Sequence, residues 1–290
     1  MTSRIAIIGG SGLYQIDGLT DIEWRRVESP WGQPSDELCF GTLEGAPVVF
    51  LPRHGRGHRL PPSEINFRAN IDALKRAGAG VVLSLSAVGS LREDLPPGSF
   101  VLADQFIDRT FAREKSFFGT GLVAHVSMAH PVCARVGDTL AAAGRDAGIT
   151  LARGGTYLCM EGPQFSTRAE STLYRQWGCA VIGMTNMPEA KLAREAELCY
   201  ATVAMVTDFD CWHPDHAHVT VEMVIHQLLA NADRARALVK AVVPLLARDH
   251  APCREGCHHA LDHAIITAPG ARDPDLAAKL DAVAGRVLRS

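Results

Sequence analysis

Arg4-Ile5-Ala6-Ile7-Ile8-Gly9-Gly10-Ser11-Gly12-Leu13 is an apolar run that breaks directly into a glycine-rich turn. A short continuous apolar run bounded by glycine reads as a buried strand, and the turn after it as a strand-to-loop transition. The same pattern recurs along the chain. Strands are expected over Arg4 to Ile8, Leu38 to Leu43, Val48 to Pro52, Gly80 to Ser86, Phe100 to Ala103, Gly154 to Cys159, Ala180 to Gly183 and Tyr200 to Thr207. Between them lie longer segments of helical spacing: Glu64 to Ala77, Pro131 to Ala147, Thr167 to Trp177, Pro188 to Glu197 and Val219 to Ala247. Thr167-Arg168-Ala169-Glu170 has the spacing of a capping box. Buried strands alternating with helices predict an α/β fold, a mixed β-sheet flanked by helices. Gly45, between Leu38–Leu43 and Val48–Pro52, marks a hairpin and therefore some antiparallel pairing.

Composition narrows what such a fold does. The chain has 290 residues, 29 Lys+Arg against 32 Asp+Glu, a formal net charge of −3, 47% hydrophobic residues and 21% charged ones. A nucleic-acid binder needs a basic excess or a dense basic stripe to neutralise phosphates, and neither is present. Nearly half apolar is enough to bury a sizeable core, which excludes disorder. No apolar run approaches the roughly 18 residues that cross a bilayer, and only four apolar residues precede Gly9, so neither a membrane span nor a secretory leader is expected. Eight cysteines, at 39, 133, 159, 179, 199, 211, 253 and 257, lie in apolar stretches. Buried free thiols in a reducing cytoplasm fit that scatter better than a disulfide framework does. No repeat or linker divides the chain, so a single domain is expected. Residues 1–250 form it, and 251–290 are an extension belonging to the same domain.

Five clusters carry candidate chemistry. Gly9-Gly10-Ser11-Gly12 can bring backbone N–H groups and a hydroxyl close to an anion, although it lacks the third glycine of the dinucleotide fingerprint and any Walker lysine. Pro52-Arg53-His54-Gly55-Arg56-Gly57-His58-Arg59 crowds basic and imidazole side chains at the end of a strand, where α/β sheets place ligands, and Arg can grip phosphate bidentately. Leu83-Ser84-Leu85-Ser86-Ala87-Val88-Gly89-Ser90 reads as a third strand ending in hydroxyl and small residues. Three strand ends offering anion donors point to a small oxyanion site, whereas each alone could be an ordinary turn. Met160-Glu161-Gly162-Pro163-Gln164-Phe165-Ser166-Thr167 offers a ring to stack and a hydroxyl, or else a core residue and a loop polar group. Thr207-Asp208-Phe209-Asp210 puts two carboxylates on one side of an extended segment after Val203-Ala204-Met205-Val206. An Asp that holds a proton at neutral pH must be raised by about 3 from ~3.9, roughly 4 kcal/mol of environment, and burial beside a second carboxylate can supply it. Cys253-x-x-x-Cys257-His258-His259 approaches a zinc half site, but no second half with matching spacing follows, so no metal is expected there.

Taken in this order, the clusters resemble the trimeric purine nucleoside phosphorylase family and, within it, the 5′-methylthioadenosine phosphorylases. The resemblance runs from Ile5–Gly12 through Arg53-His54-Gly55, Ser86–Arg92, Asp104–Thr110, Glu161–Glu170 and Met184–Glu189 to Thr207–Trp212, and covers most of residues 4 to 247. It implies attack of inorganic phosphate on C1′ of 5′-methylthioadenosine, releasing adenine and 5-methylthioribose 1-phosphate in a cytoplasmic homotrimer. Phosphate is then a co-substrate, and no metal, organic cofactor, nucleic acid or membrane is involved. By motif position, Ser11, Arg53, His54, Ser86, Ala87 and Thr185 surround phosphate, with Ser86 standing where the family usually has Thr. Met184 lies under the ribose; Phe165 and Ser166 contact the base. Asp208 gives a proton or hydrogen bond to N7, and Asp210 accepts from the 6-amino group. Val221 and Val224 line the 5′-alkylthio pocket, which His125 enters from a neighbouring subunit. Asp208 and Ser166 are the catalytic candidates.

Three other readings compete. A phosphorylase for 6-oxopurines is expected to carry Asn or another donor where Asp208 stands, because an ionised carboxylate repels O6. A dinucleotide-dependent dehydrogenase needs an acidic ribose-binding residue about 20 positions after the glycine turn, and Asp21 and Glu23 come too soon. A noncatalytic ligand-binding module is separated from an enzyme only by phosphate-dependent release of adenine.

Overall fold

The computed structural model describes residues 3–10, 13, 15–214, 221–249 and 251–289. The strands are β1 (Arg4–Gly9), β2 (Leu19–Arg25), β3 (Leu38–Leu43), β4 (Ala46–Pro52), β5 (Ala79–Ser90), β6 (Phe100–Leu102), β7 (Gln105–Asp108), β8 (Leu151–Arg153), β9 (Thr156–Cys159), β10 (Cys179–Gly183) and β11 (Cys199–Asp208). The α-helices are α1 (Phe67–Arg76), α2 (Ala134–Asp146), α3 (Arg168–Gln176), α4 (Asn186–Glu195), α5 (Val221–Arg248), α6 (Pro274–Lys279) and α7 (Gly285–Leu288). All the strands join one mixed sheet. None of the described helices is long and apolar enough to cross a membrane.

β1 shows why the opening run is continuously apolar. Ala6 and Ile8 belong to one core cluster and Ile5 and Ile7 to another, so both faces of the strand are covered. On one face Ile71 and Leu74 of α1 and Leu192 of α4 pack against the sheet. On the other, Val136 and Leu140 of α2 meet Leu238 and Val242 of α5. A strand covered on two sides loses the polar alternation of a half-exposed strand.

β5 is the strand on which the sheet divides. It pairs in parallel with β1 through Ile8↔Ser84 and with β11 from Val81 to Gly89, and its last residues pair antiparallel with β10. β1 is also parallel to β4. Hence β4, β1, β5 and β11 all end on the same edge of the sheet, the edge where open α/β sheets bind ligands.

Several expectations change in detail. The strand expected to end at Ser86 runs to Ser90, because β11 continues the ladder past Ala204↔Ser86 and Met205↔Ala87 as far as Asp208↔Gly89. Ser86 and Ala87 therefore sit within a strand and not at its end. β2, β7 and β8 were not anticipated: β2 is a largely exposed edge strand of polar composition, and the other two have four and three residues. The first predicted helix starts three residues late, at Phe67, where the Asn66 side chain accepts from the Ala69 amide at 3.0 Å. The capping box at Thr167 and Glu170 is present in both its hydrogen bonds. α4 holds Met187 in extended geometry, so the regular helix begins at Pro188, a favoured first-turn residue.

The expected hairpin is β3–β4, closed by Glu44 (φ 48°) and Gly45 (φ 76°) between the Leu43↔Ala46 pair. Two positive φ values in a two-residue loop define the turn type whose twist matches the strands. Gly45→Val places a β-branched residue in that conformation, with no neighbour within 4 Å to relieve or worsen it. The expected cost is about 1–2 kcal/mol, read as a lower urea midpoint at fixed protein concentration.

Candidate active site

The cationic end of the site rests on Arg53, which follows β4 and is held by its amide to the Gly9 carbonyl at 2.9 Å. Its guanidinium is 2% exposed and pairs with Glu189 of α4, also 2% exposed, at 2.9 Å. The same guanidinium donates to the Ser84 hydroxyl at 2.6 Å and to the Leu85 carbonyl at 3.1 Å. Glu189 in turn accepts from Ser84 at 2.6 Å and from the Tyr200 hydroxyl at 2.9 Å. Burial lowers the pKa of Arg53, but the Glu189 charge outweighs it and leaves the net shift upward. Nε and both terminal nitrogens are already engaged, so the bidentate grip on phosphate is not the arrangement found. Arg53 delivers charge from beneath the site.

His54 stacks on His58 with ring centroids 4.2 Å apart, and its Nδ1 lies 2.9 Å from the Leu60 carbonyl. Burial lowers its pKa to about 4, so the ring is neutral at pH 7, with Nδ1–H donated to Leu60 and Nε2 bearing a lone pair. It becomes a donor to an anion by taking up a proton, which a nearby phosphate dianion favours. The rest of the basic loop serves structure: Arg56 pairs with Asp36 at 2.8 Å and Glu37 at 2.9 Å, and Arg59 donates to the Ser35 carbonyl.

Beside this cation, Ser86 of β5 lies 3.3 Å from Asn186, and buried Thr185 stands at the start of α4 with its hydroxyl uncommitted to the helix cap. Tyr157 of β9 adds a fully buried hydroxyl with no hydrogen-bond partner among the described residues. Its pKa is raised by burial, against smaller downward pulls that include the Ser86 hydroxyl and the Thr185 backbone. Ala87 is half-buried and paired with Met205. Ser11 lies outside the described residues.

At the end of β11 the two carboxyls come together, though not along an extended segment. The strand stops at Asp208, and Asp210 takes a left-handed backbone (φ 53°), which Asp tolerates better than most residues. Its amide donates to Asp208 Oδ1 at 2.8 Å. Asp208 is 7% exposed and Asp210 6%. A Cβ on Gly89 would stand 2.9 Å from Asp208 Oδ1 and 3.3 Å from Asp210 Cβ, so the absence of a side chain there is what admits both. Burial raises the pKa of each, against weaker lowering by Thr207 and the Asp210 amide at Asp208, and by Ser171 at Asp210. Thr207 Oγ1 lies 2.7 Å from Asp208 Oδ2 and 3.2 Å from the Val88 carbonyl. The hydroxyl can donate to the ionised carboxylate, or donate to Val88 and accept from the protonated acid. Asp210 Oδ2 has no hydrogen-bond partner among the described residues. Behind the pair, Phe209 and Trp212 sink into a small cluster with Tyr174 and Ile182, and Trp212 donates to the Ser90 carbonyl.

Between the two ends lies the loop after β9. Glu161 accepts the amides of Phe111 and Ala112 at 2.6 and 3.3 Å, and Arg113 at 3.3 Å. Buried Arg113 also donates to the carbonyls of Met184 and Met187, each at 2.6 Å, so one ion pair fixes three loops. Met184 is half-buried with its thioether against Gly162. Phe165 is exposed, and Ser166, which points Oγ to Met160 Sδ at 3.6 Å, accepts at its carbonyl from Cys211.

Three expected residues are not gathered here by a single chain. Val221 and Val224 open α5, with Val221 63% exposed. His125 is exposed and lines a cavity of about 390 Å³ with His130, Arg194, Glu255, His259 and His263, none of them a predicted site residue. Glu189, Asn186, Arg113 and Tyr157 carry no sequence signal of a role; their partners are far away in sequence, and α4 mixes charged and apolar residues, so the burial of Glu189 is seen only in the fold.

Cationic and hydroxyl side chains on one edge of an α/β sheet, together with a buried carboxyl pair whose pKa values burial raises, make an arrangement suited to phosphorolysis. The Phosphorylase superfamily model matches residues 4–244. The S-methyl-5′-thioadenosine phosphorylase of Rhodospirillum rubrum is 68% identical over 284 residues, 98% of this chain and 97% of that protein. That of Cereibacter sphaeroides is 62% identical over 289 residues, the full length of both. A methylthioadenosine phosphorylase from an antarctic soil metagenomic library superposes with a TM-score of 0.92 at 49% identity, covering 98% of this chain and 99% of that one. The Schistosoma mansoni methylthioadenosine phosphorylase in complex with adenine gives 0.80 at 39% identity over 85% of this chain and 92% of that one. The chain belongs to the S-methyl-5′-thioadenosine phosphorylase family of that superfamily.

The buried ion pair makes a testable demand. Glu189→Gln keeps the shape of the side chain and leaves Arg53 buried without a counter-charge. Removing one partner of such a pair costs about 3–5 kcal/mol, so the urea unfolding midpoint should fall accordingly. A midpoint within error of the parent would mean that the pair does not hold the site together.

Proposed function

We propose that this chain cleaves 5′-methylthioadenosine with inorganic phosphate, giving adenine and 5-methylthioribose 1-phosphate, in purine and methionine salvage. The carrying observation is the Asp208–Asp210 pair around Gly89: two buried carboxyls, one with an oxygen that has no hydrogen-bond partner among the described residues, on the sheet edge that also carries Arg53, Ser86 and Thr185. A phosphate oxygen attacks C1′ as the C1′–N9 bond breaks, and the electron pair of that bond leaves with the purine. Positive charge on the ribose is met by phosphate, and negative charge on the base by a proton from Asp208 to N7. Asp210 Oδ2 is free to accept from the 6-amino group. Phe165 and Ser166 stand beside the base, Ser166 as the second catalytic candidate, and Met184 under the ribose. Residues Ser11, Arg53, His54, Ser86, Ala87 and Thr185 receive phosphate; no metal or organic cofactor enters the reaction.

The active form in this reading is a cytoplasmic homotrimer. Exposed Val221, Ile225 and Leu229, four residues apart, make an apolar face at the start of α5, and His125 lies on the surface, both suited to a neighbouring copy. All eight cysteines are free, as a reducing compartment allows. Release of adenine from 5′-methylthioadenosine by the purified protein, with phosphate and without it, tests the reading; no adenine in the presence of phosphate overturns it. Adenosine is the expected lesser substrate, because its base is the same and only its 5′-hydroxyl meets an apolar pocket.

Asp208→Asn removes the transferable proton while keeping a hydrogen-bond donor. It should lower kcat for 5′-methylthioadenosine by about 10²-fold or more and shift selectivity toward inosine. Unchanged selectivity across a substrate panel would remove Asp208 from base recognition. His125→Ala should weaken kcat/KM for the methylthio substrate more than for adenosine; equal losses would take His125 out of the 5′ pocket.

A further inference from the structure

Four cysteines from three distant stretches of sequence meet at the opposite end of β11 from Asp208. Cys199 is the first residue of β11, Cys133 precedes α2, and Cys253 and Cys257 lie in the tail. Their four sulfur atoms all lie within 4.8 Å of one another. Cys133, Cys199 and Cys257 are buried, Cys253 is partly so, and none is in a disulfide. Spacing alone offered only the Cys253-x-x-x-Cys257 half, because the other half comes from two elements 66 residues apart that the fold brings together.

The surroundings suit thiolates. The Cys257 amide donates to Cys253 Sγ at 3.0 Å. Arg135 reaches Cys199 Sγ at 3.8 Å and Arg194 reaches Cys257 Sγ at 3.6 Å. His258 Nε2 lies 3.5 Å from Cys199 Sγ. Arg135 also pairs with Asp249 at 2.8 Å, whereas Arg194 bonds the carbonyls of Glu255 and His130 and no carboxylate among the described residues. Four thiolates round a divalent ion carry two net negative charges, and guanidinium groups beside them offset that charge. In a tetrahedral zinc–thiolate site with bonds of about 2.3 Å the sulfurs stand about 3.8 Å apart, so the cluster needs to contract by no more than about 1 Å along any edge.

We propose that Cys133, Cys199, Cys253 and Cys257 bind one zinc ion as a structural tetrathiolate site that staples the C-terminal tail to the base of β11. All four positions are filled by protein, which leaves no open coordination site for catalysis. On binding, each thiol gives its proton to solvent and its sulfur to the metal, with no change of oxidation state.

The primary test uses the full-length protein purified under reducing conditions without an affinity metal, with zinc measured by inductively coupled plasma mass spectrometry. About one zinc per chain is expected. Replacement by cobalt(II) should give the intense d–d bands of a tetrahedral site with thiolate-to-metal charge transfer. Cys133 and Cys199 are packed in the core, so the variant is Cys253→Ser, in the partly exposed tail; its zinc content should fall at least about tenfold and its melting temperature drop. Three results would each overturn the proposal: zinc below about a tenth of an equivalent in protein whose thiols all alkylate, two disulfides by mass, or zinc fully retained in Cys253→Ser/Cys257→Ser.

Discussion

Everything on the catalytic edge depends on a positive charge held where water cannot reach it. The Arg53–Glu189 pair joins the end of β4 to α4, and Ser84 and Tyr200 tie it to β5 and β11. Two charges taken out of water cost several kcal/mol each, and here all three guanidinium nitrogens and both Glu189 oxygens have partners that offset that cost. Four elements are thereby fixed to one another within a few hydrogen bonds. The cost of such a pair is better explained by function than by stability, since apolar side chains of the same volume would hold the elements as well. What an apolar set cannot provide is a permanent charge at the strand ends.

At the other end of the site the same low-dielectric environment acts on opposite charges with opposite effect. Burial raises the pKa of Asp208 and Asp210, outweighing the hydrogen bonds that pull the other way. Thr207 and the Asp210 amide limit the rise, and the Thr207 hydroxyl serves either protonation state. One sheet thus carries a fixed cation at one group of strand ends and protonatable carboxyls at another. An N-glycosidic cleavage that draws an anion to C1′ and expels an anion at the base requires that division. The small net charge of the chain agrees with it, since the fields that matter are local.

Much of the sheet was legible because buried strands are continuously apolar and sharply bounded: Leu38–Leu43 is reproduced residue for residue, and β1, β4, β10 and β11 differ at their ends by one or two residues. What escaped was determined by partners distant in sequence. β2 is polar because it is an exposed edge, and β5 runs four residues past Ser86 because β11 lies beside it. The Asp208–Asp210 pair was readable from its spacing, but for a different geometric reason, since a left-handed Asp210 and a bare Gly89 bring the carboxyls together where an extended strand had been expected. Arg53 was readable as a cation and its engagement with Glu189, 136 residues away, was not. Val221, Val224 and His125 had been placed by resemblance alone, and a single chain leaves them at its surface.

The tail connects these observations. Beyond its cysteines it returns to the segment before α2: Ile266 donates to the Val123 carbonyl, His125 donates to that of Ala264, and Ala124 bridges Ile265. Glu197, at the turn into β11, receives Arg286 from α7 and the Leu261 amide, so both halves of the tail are tied to the same turn. Leu261, Ala264, Leu280, Val283 and Ala284 bury the tail in the core cluster on one face of the sheet, and these hydrogen bonds fix its register there. Fastening the tail at Cys199 therefore also orders the strand-like contact that holds His125. If His125 serves a neighbour's 5′ pocket, the geometry of that pocket is set partly by a segment that contributes no side chain to it. Such a division of labour accounts for a Cys- and His-bearing extension outside the matched phosphorylase region that nevertheless packs against the domain.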